Sequence, residues 1–420
     1  MRTSISLEEA QTVLLELVHP VQEGCVSLFD AVGSVLSQDI RANENLPPFN
    51  KSPLDGYALQ AKDTEKAKLS TPVTLTVIEE VRAGYMPKEK VISGTAIKVM
   101  TGAPIPEGAD VVIQYEDVNR EGNALKLFYP LTAGNNIILA GEDVVKGEAV
   151  GARGSLLTPP LVGLLAAIGL AEVPVFNKVR IAILSTGDEL LDPSETLYPG
   201  KIYNSNLHTL CAFCSNLGAE PVPLGIVPDE QEATAKRISQ ALEEADLVIT
   251  TGGVSVGDYD VVLDSLKQIG SNIIFWKVDM KPGSPIVAAE KNNKLIIGLS
   301  GNPAAAFITF GLIVIPLIKK MMGFDRHLPF KIPGILEGSF NKSSSQRRFL
   351  RAQVQRKNEI NYLKLTGEQS NGVLKSMINC NALIDIPAGS GPLFAGQEVA
   401  AVIMEDSGRF FVENKRGWSI

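Results

Sequence analysis

Val179-Arg180-Ile181-Ala182-Ile183-Leu184-Ser185-Thr186-Gly187-Asp188-Glu189 is the stretch on which the fold turns. An apolar run, Val179–Leu184, ends abruptly in hydroxyls, a glycine and two acids. A short continuous apolar run bounded by turn residues reads as a strand buried on both faces. The pattern recurs at Val222–Val227, Leu247–Thr250 and Lys294–Leu299. Between these runs lie helical stretches around 205–217, 230–243 and 259–269, and a long apolar helix runs on to about 322. Buried-type strands alternating with helices predict a doubly wound α/β domain over 177–324.

Outward from this domain the pattern changes on both sides. Leu7, Ala10, Val13, Leu14 and Leu17 keep a helical period behind Ser6, an N-cap candidate with Glu9 three residues on. Leu46-Pro47-Pro48-Phe49 ends any helix there. Short strands such as Val73–Ile78 and Ala109–Ile113 then alternate with turns to about 146. A second helical piece at about 158–170 opens on Pro159-Pro160, and the expectation is that it packs beside the first helix. Past about 325, strands and turns return without helical periodicity, suggesting a small β-barrel or sandwich. The expected organisation is a multidomain α/β plus β chain. It has a discontinuous helical linking domain (1–41 with 147–176), a β-rich inserted domain (42–146), the α/β domain (177–324) and a C-terminal β-barrel-like domain (325–420). Length alone, at about 150 residues per domain, would suggest three.

Composition excludes several classes. Hydrophobic residues make up 45% of the 420 and charged residues 20%, so the chain is not disordered. A net charge of −8 argues against a general nucleic-acid binder. It does not exclude a small anionic ligand, which needs only a local group of Lys, Arg and backbone N–H. Four cysteines are too few for a disulfide scaffold, and the single C-x-x-C, Cys211 and Cys214, reads as two structural thiols on a helix face. Three histidines rule out a His-rich metal site. The N-terminus has no apolar signal-peptide core, and the apolar stretch from Leu161 to Phe176 is broken by Glu172 and Pro174. The reading is a cytoplasmic protein with no membrane or nucleic-acid partner.

In open α/β sheets ligands bind beyond the carboxyl ends of the strands. The residues that follow the four apolar runs are Ser185-Thr186-Gly187-Asp188-Glu189, Pro228-Asp229-Glu230, Thr251-Gly252-Gly253-Val254-Ser255-Val256-Gly257-Asp258-Tyr259-Asp260, and Ser300-Gly301-Asn302-Pro303. All four combine small residues, hydroxyls and acids, as one crevice would. Gly252 and Gly253 let backbone N–H groups face an anion. Gly301-Asn302-Pro303 opens a helix whose N-terminus favours negative charge. A helix end contributes only about 0.3–1 kcal/mol at a surface, so a pyrophosphate needs more. Lys277 and Lys281 supply positive charge, and Glu189, Asp229 and Asp260 are the candidate Mg²⁺ ligands. Taken singly, each acid is equally a turn or cap residue. No P-loop and no G-x-G-x-x-G after a strand is present. Gly253-Val254-Ser255-Val256-Gly257 does match the G-x-S-x-G nucleophile elbow, which raises a serine hydrolase using Ser255. An elbow needs a His later in the chain, and the only one is His327.

At these residues the chain resembles the molybdopterin molybdenumtransferase (MoeA, gephyrin E-domain) family. Pro48-Phe49-Asn50-Lys51-Ser52-Pro53-Leu54-Asp55-Gly56-Tyr57-Ala58, Met100-Thr101-Gly102-Ala103-Pro104, Gly141-Glu142-Asp143 and the strand-end segments are similar to that family's motifs, in order, over nearly the whole length. The resemblance implies insertion of molybdenum from molybdate into adenylylated molybdopterin, with Mg²⁺-dependent release of AMP. It implies an elongated homodimer of four-domain subunits, with the crevice facing the partner's inserted domain, and the molybdopterin adenylyltransferase as a further partner. It places Asp55, Thr101 and Asp143 at site positions of the inserted domain, and Glu189, Asp229, Asp260, Lys277 and Lys281 at those of the α/β domain. The candidate catalytic residues are thus Asp55, Asp229, Asp260, Lys277 and Lys281. The candidate substrate contacts are Thr101, Asp143, Ser185, Thr186, Gly252, Gly253, Ser255, Gly301, Asn302 and Pro303.

The chain departs from the family pattern where cations are expected. Ile138, Leu139 and Ala140 stand where arginines often precede the Gly-Glu-Asp motif. Ser284 replaces a basic residue, Ser300 alters the segment before Gly301, and Asn50 replaces an acid. An Arg fork is not easily replaced; Lys51, Arg347, Arg348 and Arg351 are the candidates to compensate. The alternative is a diverged paralogue that binds molybdopterin without efficient metal insertion. A clustering scaffold and an adenylyl transferase are two further readings; no partner-binding linker favours the first, and the extra domains argue against the second.

Overall fold

A computed structural model describes residues 2–254 and 261–404. The chain opens with the strand Arg2–Ile5 (β1) and the helix Leu7–Leu17 (α1). Ser6 caps α1 as expected: its Oγ accepts the Glu9 N–H at 3.1 Å. The chain forms two compact units, one of Met1–Gln38, Arg153–Thr158 and Val173–Ile420, the other of Asp39–Ala152 and Pro159–Glu172.

The second unit carries a six-stranded sheet from Gly56–Leu59 (β2), Val73–Val81 (β3), Thr95–Val99 (β4), Val111–Gln114 (β5), Asn119–Glu121 (β6) and Ala124–Leu127 (β7), in the order β5-β2-β4-β3-β7-β6. Leu59, Leu125 and Leu127 are fully buried on one core, and Ile97, Val99 and Val112 on another. The helix Pro159–Ala167 (α2) belongs to this unit.

The first unit contains the α/β sheet. Its elements are Arg180–Thr186 (β8), Ser205–Asn216 (α3), Glu220–Val227 (β9), Gln231–Glu244 (α4), Leu247–Thr251 (β10), Val261–Gln268 (α5), Asn272–Val278 (β11), Ile286–Lys291 (β12) and Lys294–Leu299 (β13). The strand order is β1-β11-β12-β13-β10-β8-β9. Strands β13, β10, β8 and β9 are mutually parallel, as the apolar runs predict. Alternation along β8 sends Ile181 and Ile183 to a core shared with Leu207 and Leu210 of α3, and Ala182 and Leu184 to a core shared with Ile238 of α4 and Leu266 of α5. Both faces are therefore covered by helices, as in a doubly wound sheet. The sheet is not wholly parallel: β12 runs antiparallel to both β11 and β13.

The expected pairing of the first two helices is not what forms. The stripe Leu7, Ala10 and Leu14 packs into the α/β core with Phe275, Ile313 and Leu317, and β1 pairs in parallel with β11. The apolar face of α1 is satisfied there, while α2 lies in the other unit.

After β13 come the helices Pro303–Thr309 (α6) and Ile315–Met321 (α7), joined by a π-helical turn at Phe310–Val314. Pro303–Met321 is long and apolar enough to cross a membrane, but 94% of it is buried in the core. Lys331–Leu336 (β14), Arg348–Lys357 (β15), Ile360–Leu365 (β16), Ala382–Ile386 (β17) and Glu398–Ile403 (β18) then close a five-stranded barrel in the order β14-β16-β15-β17-β18.

Candidate functional site

The parallel strands put the carboxyl ends of β9, β8, β10 and β13 along one edge. The chain order reverses between β8 and β10, which is where an open sheet opens a crevice. The ends of those two strands are bonded across this point: Ser185 Oγ, one residue from the end of β8, and Thr251 Oγ1, at the end of β10, are 2.8 Å apart. Asn204, the N-cap of α3, accepts from Ser185 Oγ at 3.1 Å and from the Leu207 N–H at 3.2 Å through the same Oδ1. Asn206 Nδ2 donates to the Gly301 carbonyl at 2.8 Å, so the first turn of α3 braces the end of β13 as well.

The glycines make a tight turn, but the Gly252 N–H, expected to face an anion, is spent inside the sheet on the Leu299 carbonyl at 3.0 Å. Gly252 and Gly253 have φ of +94° and +60°, which L side chains adopt at a cost. A Cβ on Gly252 would run into the Thr186 carbonyl, and one on Gly253 would sit 3.0 Å from Thr186 Oγ1. Gly301 lies against Gly252, where a Cβ would meet the Gly252 Cα at 3.4 Å. Thr186, Gly252, Gly253 and Gly301 therefore meet in one place. Thr186 Oγ1 and Asn204 Nδ2 are buried there with no hydrogen-bond partner among the described residues. Buried polar atoms are rarely left so, which marks this floor as one that accepts a ligand or ordered water. Asn302 caps α6 and its N–H donates to Ser300 Oγ at 3.3 Å. The Ala304 N–H behind it donates to the Asn371 carbonyl at 3.1 Å, so a loop after the barrel strand β16 closes on this turn.

The acids lie on the neighbouring turns. Asp188 and Asp229 exchange bonds between adjacent strand ends, each carboxylate accepting the other's backbone N–H at 3.3 Å. Lys201 Nζ donates to the Asp188 carbonyl. Glu189 is exposed, and its carboxylate lies against Gly187. Among the described residues no three His, Cys, Asp or Glu side chains gather as a metal cage. Mg²⁺ does not require one, since it is usually held by one or two carboxylates with substrate oxygens and water. The Asp188–Asp229 pair fits that donor set, while Glu189 stands apart on the next residue of the turn. Ser255 and Asp260 lie outside the described residues.

The two lysines stand further along the same edge, because β12 separates β11 from β13. Lys277 is half-buried with φ +71°, its ammonium 4.1 Å from the centre of the Trp276 ring. Lys281 is exposed, and its backbone bonds to the start of β15.

The expected compensating arginines are not spare cations. Arg347 is paired with Asp385 and Glu8 at 2.7 and 2.8 Å. Arg348 bonds Ser344 Oγ at 3.2 Å and lies 5.4 Å from the Phe340 ring centre. Arg351 is fully buried and donates to Ser376 Oγ and to the carbonyls of Glu368 and Ser370. Each is held by the barrel, for which a long cation is as useful as for an anion. The two C-x-x-C thiols lie on α3, Cys214 buried and Cys211 half-buried; burial raises both, and Cys214 is pushed up to about 12.

In the other unit, Asp55 and Thr101 meet directly. Asp55 Oδ1 accepts the Thr101 N–H at 2.7 Å and its hydroxyl at 2.8 Å. These bonds, the backbone one first, hold the exposed carboxyl below the usual carboxylate range. Asp143 and Lys51 line a cavity of about 400 Å³ together with Leu46, Pro47, Ile138 and Glu142. Lys51 is its only cation, and Asn50 Oδ1 is occupied by the Ala140 N–H at 2.8 Å. Sequence reasoning passed over Asp188, Thr251, Asn204 and Asn206 as site residues. The first two lie inside the quoted strand-end runs, and an Asn before a helical stretch is the signal that would have found Asn204.

Residues 5–169 match the MoeA N-terminal region (domain I and II), 182–320 a probable molybdopterin binding domain, and 333–404 the MoeA C-terminal region (domain IV). The chain is 34% identical to a molybdopterin molybdenumtransferase of Bacillus subtilis, covering 96% of this chain and 95% of that one. It is 33% identical to one of Staphylococcus epidermidis, covering 97% of each. Among solved structures, a molybdopterin biosynthesis MoeA protein of Pyrococcus horikoshii is similar with a TM-score of 0.80 and 33% identity, over 95% of this chain and 100% of that one.

Proposed function

The chain belongs to the molybdopterin molybdenumtransferase family, a family of transferases in molybdenum cofactor synthesis, and from that membership we propose that it inserts molybdenum from molybdate into adenylylated molybdopterin with Mg²⁺-dependent release of AMP. The observation that carries the reading is the crevice floor at the β8–β10 switch point. There two positive-φ glycines pack on Thr186, and two buried polar atoms have no hydrogen-bond partner among the described residues.

The chain's own residues would divide the work as follows. The turns at Gly253 and Gly301 would present backbone N–H groups to phosphate and molybdate oxygens, the Gly252 N–H being already taken by the Leu299 carbonyl at 3.0 Å. Lys277 and Lys281 offset further charge along the same edge. Asp188 and Asp229 would hold Mg²⁺, with Glu189 and Asp260 as further candidates. When bound, Mg²⁺ polarises the phosphoryl oxygens of the pyrophosphate. Asp55, kept ionised by Thr101, would orient the reacting centre from the inserted domain, and Asp143 and Lys51 would line its approach. A homodimer is part of the proposal, with the inserted domain of each subunit serving the crevice of the other.

The test is to mix the purified protein with adenylylated molybdopterin, Mg²⁺ and molybdate. Molybdate-dependent AMP release with formation of active cofactor is the expected result. Binding without turnover would replace insertion by a pterin-binding role. Sedimentation checks the dimer.

A further inference from the structure

Arg347 does two different things with its two ends. Its guanidinium forks onto Asp385, with Nε to Oδ1 at 2.8 Å and Nη2 to Oδ2 at 2.7 Å, while Nη1 donates to both oxygens of Glu8 at 2.8 Å. It also lies 5.1 Å from the Phe349 ring centre. Lys331 Nζ joins the same group, 3.1 Å from Asp385 and 4.0 Å from Glu8. The backbone of Arg347 meanwhile holds a different segment. Its carbonyl accepts the Lys281 N–H at 2.8 Å, and the Phe349 N–H donates to the Lys281 carbonyl at 2.8 Å.

The segment 279–283 is thus suspended between two supports. On one side the Asp279 N–H donates to the Ile5 carbonyl at 2.8 Å, three residues before Glu8. On the other side is the start of β15. Gly283 closes the segment with φ +96°, packed so tightly on Thr309 that no Cβ fits. The guanidinium of Arg347 ties the two supports together, because it grips Glu8 at the head of α1 and Asp385 on β17 at once. The side chains of Arg347 and Asp385 are only 18% and 10% exposed, so the Asp385 half of the grip is little weakened by solvent, while the Glu8 half stands at the surface and relies on its two-oxygen geometry.

We propose that Arg347 is a positioning residue for Lys281: by clamping the two supports of segment 279–283, it sets where the Lys281 ammonium stands at the carboxyl edge of the sheet. The inference rests on the proposed function only in taking Lys281 as an anion-binding group. The role calls for Arg. A lysine is a point charge and cannot serve two carboxylates through a planar fork.

The experiment uses the full chain and its R347M, R347K, K281A and R347M/K281A variants. Hydrogen exchange reads the positioning with no ligand. The amides of 279–283 are expected to exchange about tenfold faster in R347M and R347K than in the parent, since local opening sets exchange. Calorimetry with AMP reads the consequence. R347M is expected to weaken AMP binding about tenfold, to raise KM for adenylylated molybdopterin with kcat nearly unchanged, and to add nothing further in the K281A background. Unchanged exchange, rescue by R347K, or full additivity with K281A would each overturn the inference. Should R347M not fold, E8Q carries the same measurements from the more exposed end of the clamp, with a smaller shift in the same direction, and no shift overturns it. If the parent binds no AMP while exchange at 279–283 responds to R347M, the positioning stands and it is the reading of the crevice that fails.

Discussion

On the crevice floor at the β8–β10 switch point the polar groups are neutral and buried: Ser185, Thr186, Thr251 and Asn204 are all at or below 3% exposed, and glycine backbone completes the floor. At the corner of the six-stranded sheet, where Asp55 and Thr101 meet, the site groups are open and include a charge: both residues are exposed. The first surface is rigid because every group in it is also part of the fold. The second is held by one short exchange between Asp55 and Thr101 and needs no packing to keep it. Mutation should therefore affect stability and function together in the first, and function alone in the second.

The most severe break of that contrast is Gly252→Ala. Its φ and the Thr186 carbonyl both oppose a side chain, so the variant should lose about 2–3 kcal/mol of stability and its affinity for AMP, read by urea unfolding and calorimetry. Asp55→Asn is the opposite case. An amide oxygen can still accept both Thr101 bonds, so only the charge is lost. Molybdate-dependent AMP release should fall about 100-fold, with the thermal midpoint unmoved; a large drop in the midpoint would erase the distinction between the two surfaces.

A milder probe is Ser185→Ala, which leaves Thr251 Oγ1 facing a methyl group. It should cost about 1–2 kcal/mol in urea unfolding and weaken AMP binding less than Gly252→Ala. The smallest effect concerns acid. Burial alone would raise the carboxyl of Asp385, but the Arg347 fork, with Lys331, brings it below its ordinary value. A depressed carboxyl contributes stability above its unfolded pKa, about 3.9, and that contribution is lost as pH falls through the lower folded value. The stability advantage of the parent over D385N should therefore hold at pH 7 and shrink below about pH 4.

What could be read in advance follows the same divide. Strands β8, β9, β10 and β13 were legible because a buried parallel strand is written in consecutive residues, and the groups that end them were legible with it. Strand β1 was not. Only Ile5 of Arg2–Ile5 is buried, and its partner β11 lies some 270 residues away. The stripe on α1 announced a buried face but not which surface would bury it. The arginines show a further limit. A sequence counts cations, but the carboxylates that neutralise Arg347 come from α1 and β17, distant in the chain, and Arg351 meets only a hydroxyl and carbonyls. Lys51, the fourth candidate, lines the cavity that Asp143 also lines.

The loop contact between Asn371 and Ala304, and the backbone bonds from Arg347 and Phe349 to Lys281, have a consequence in time. A ribosome makes the chain from its N-terminus, so every crevice residue up to Pro303 has emerged before the first barrel strand is complete. Until the barrel forms, the turn at Asn302–Pro303 and the segment carrying Lys281 lack their outer anchors. The barrel, made after the crevice residues, is thus the domain that finishes their site, and a chain cut before it would carry the right residues with two of its loops still loose.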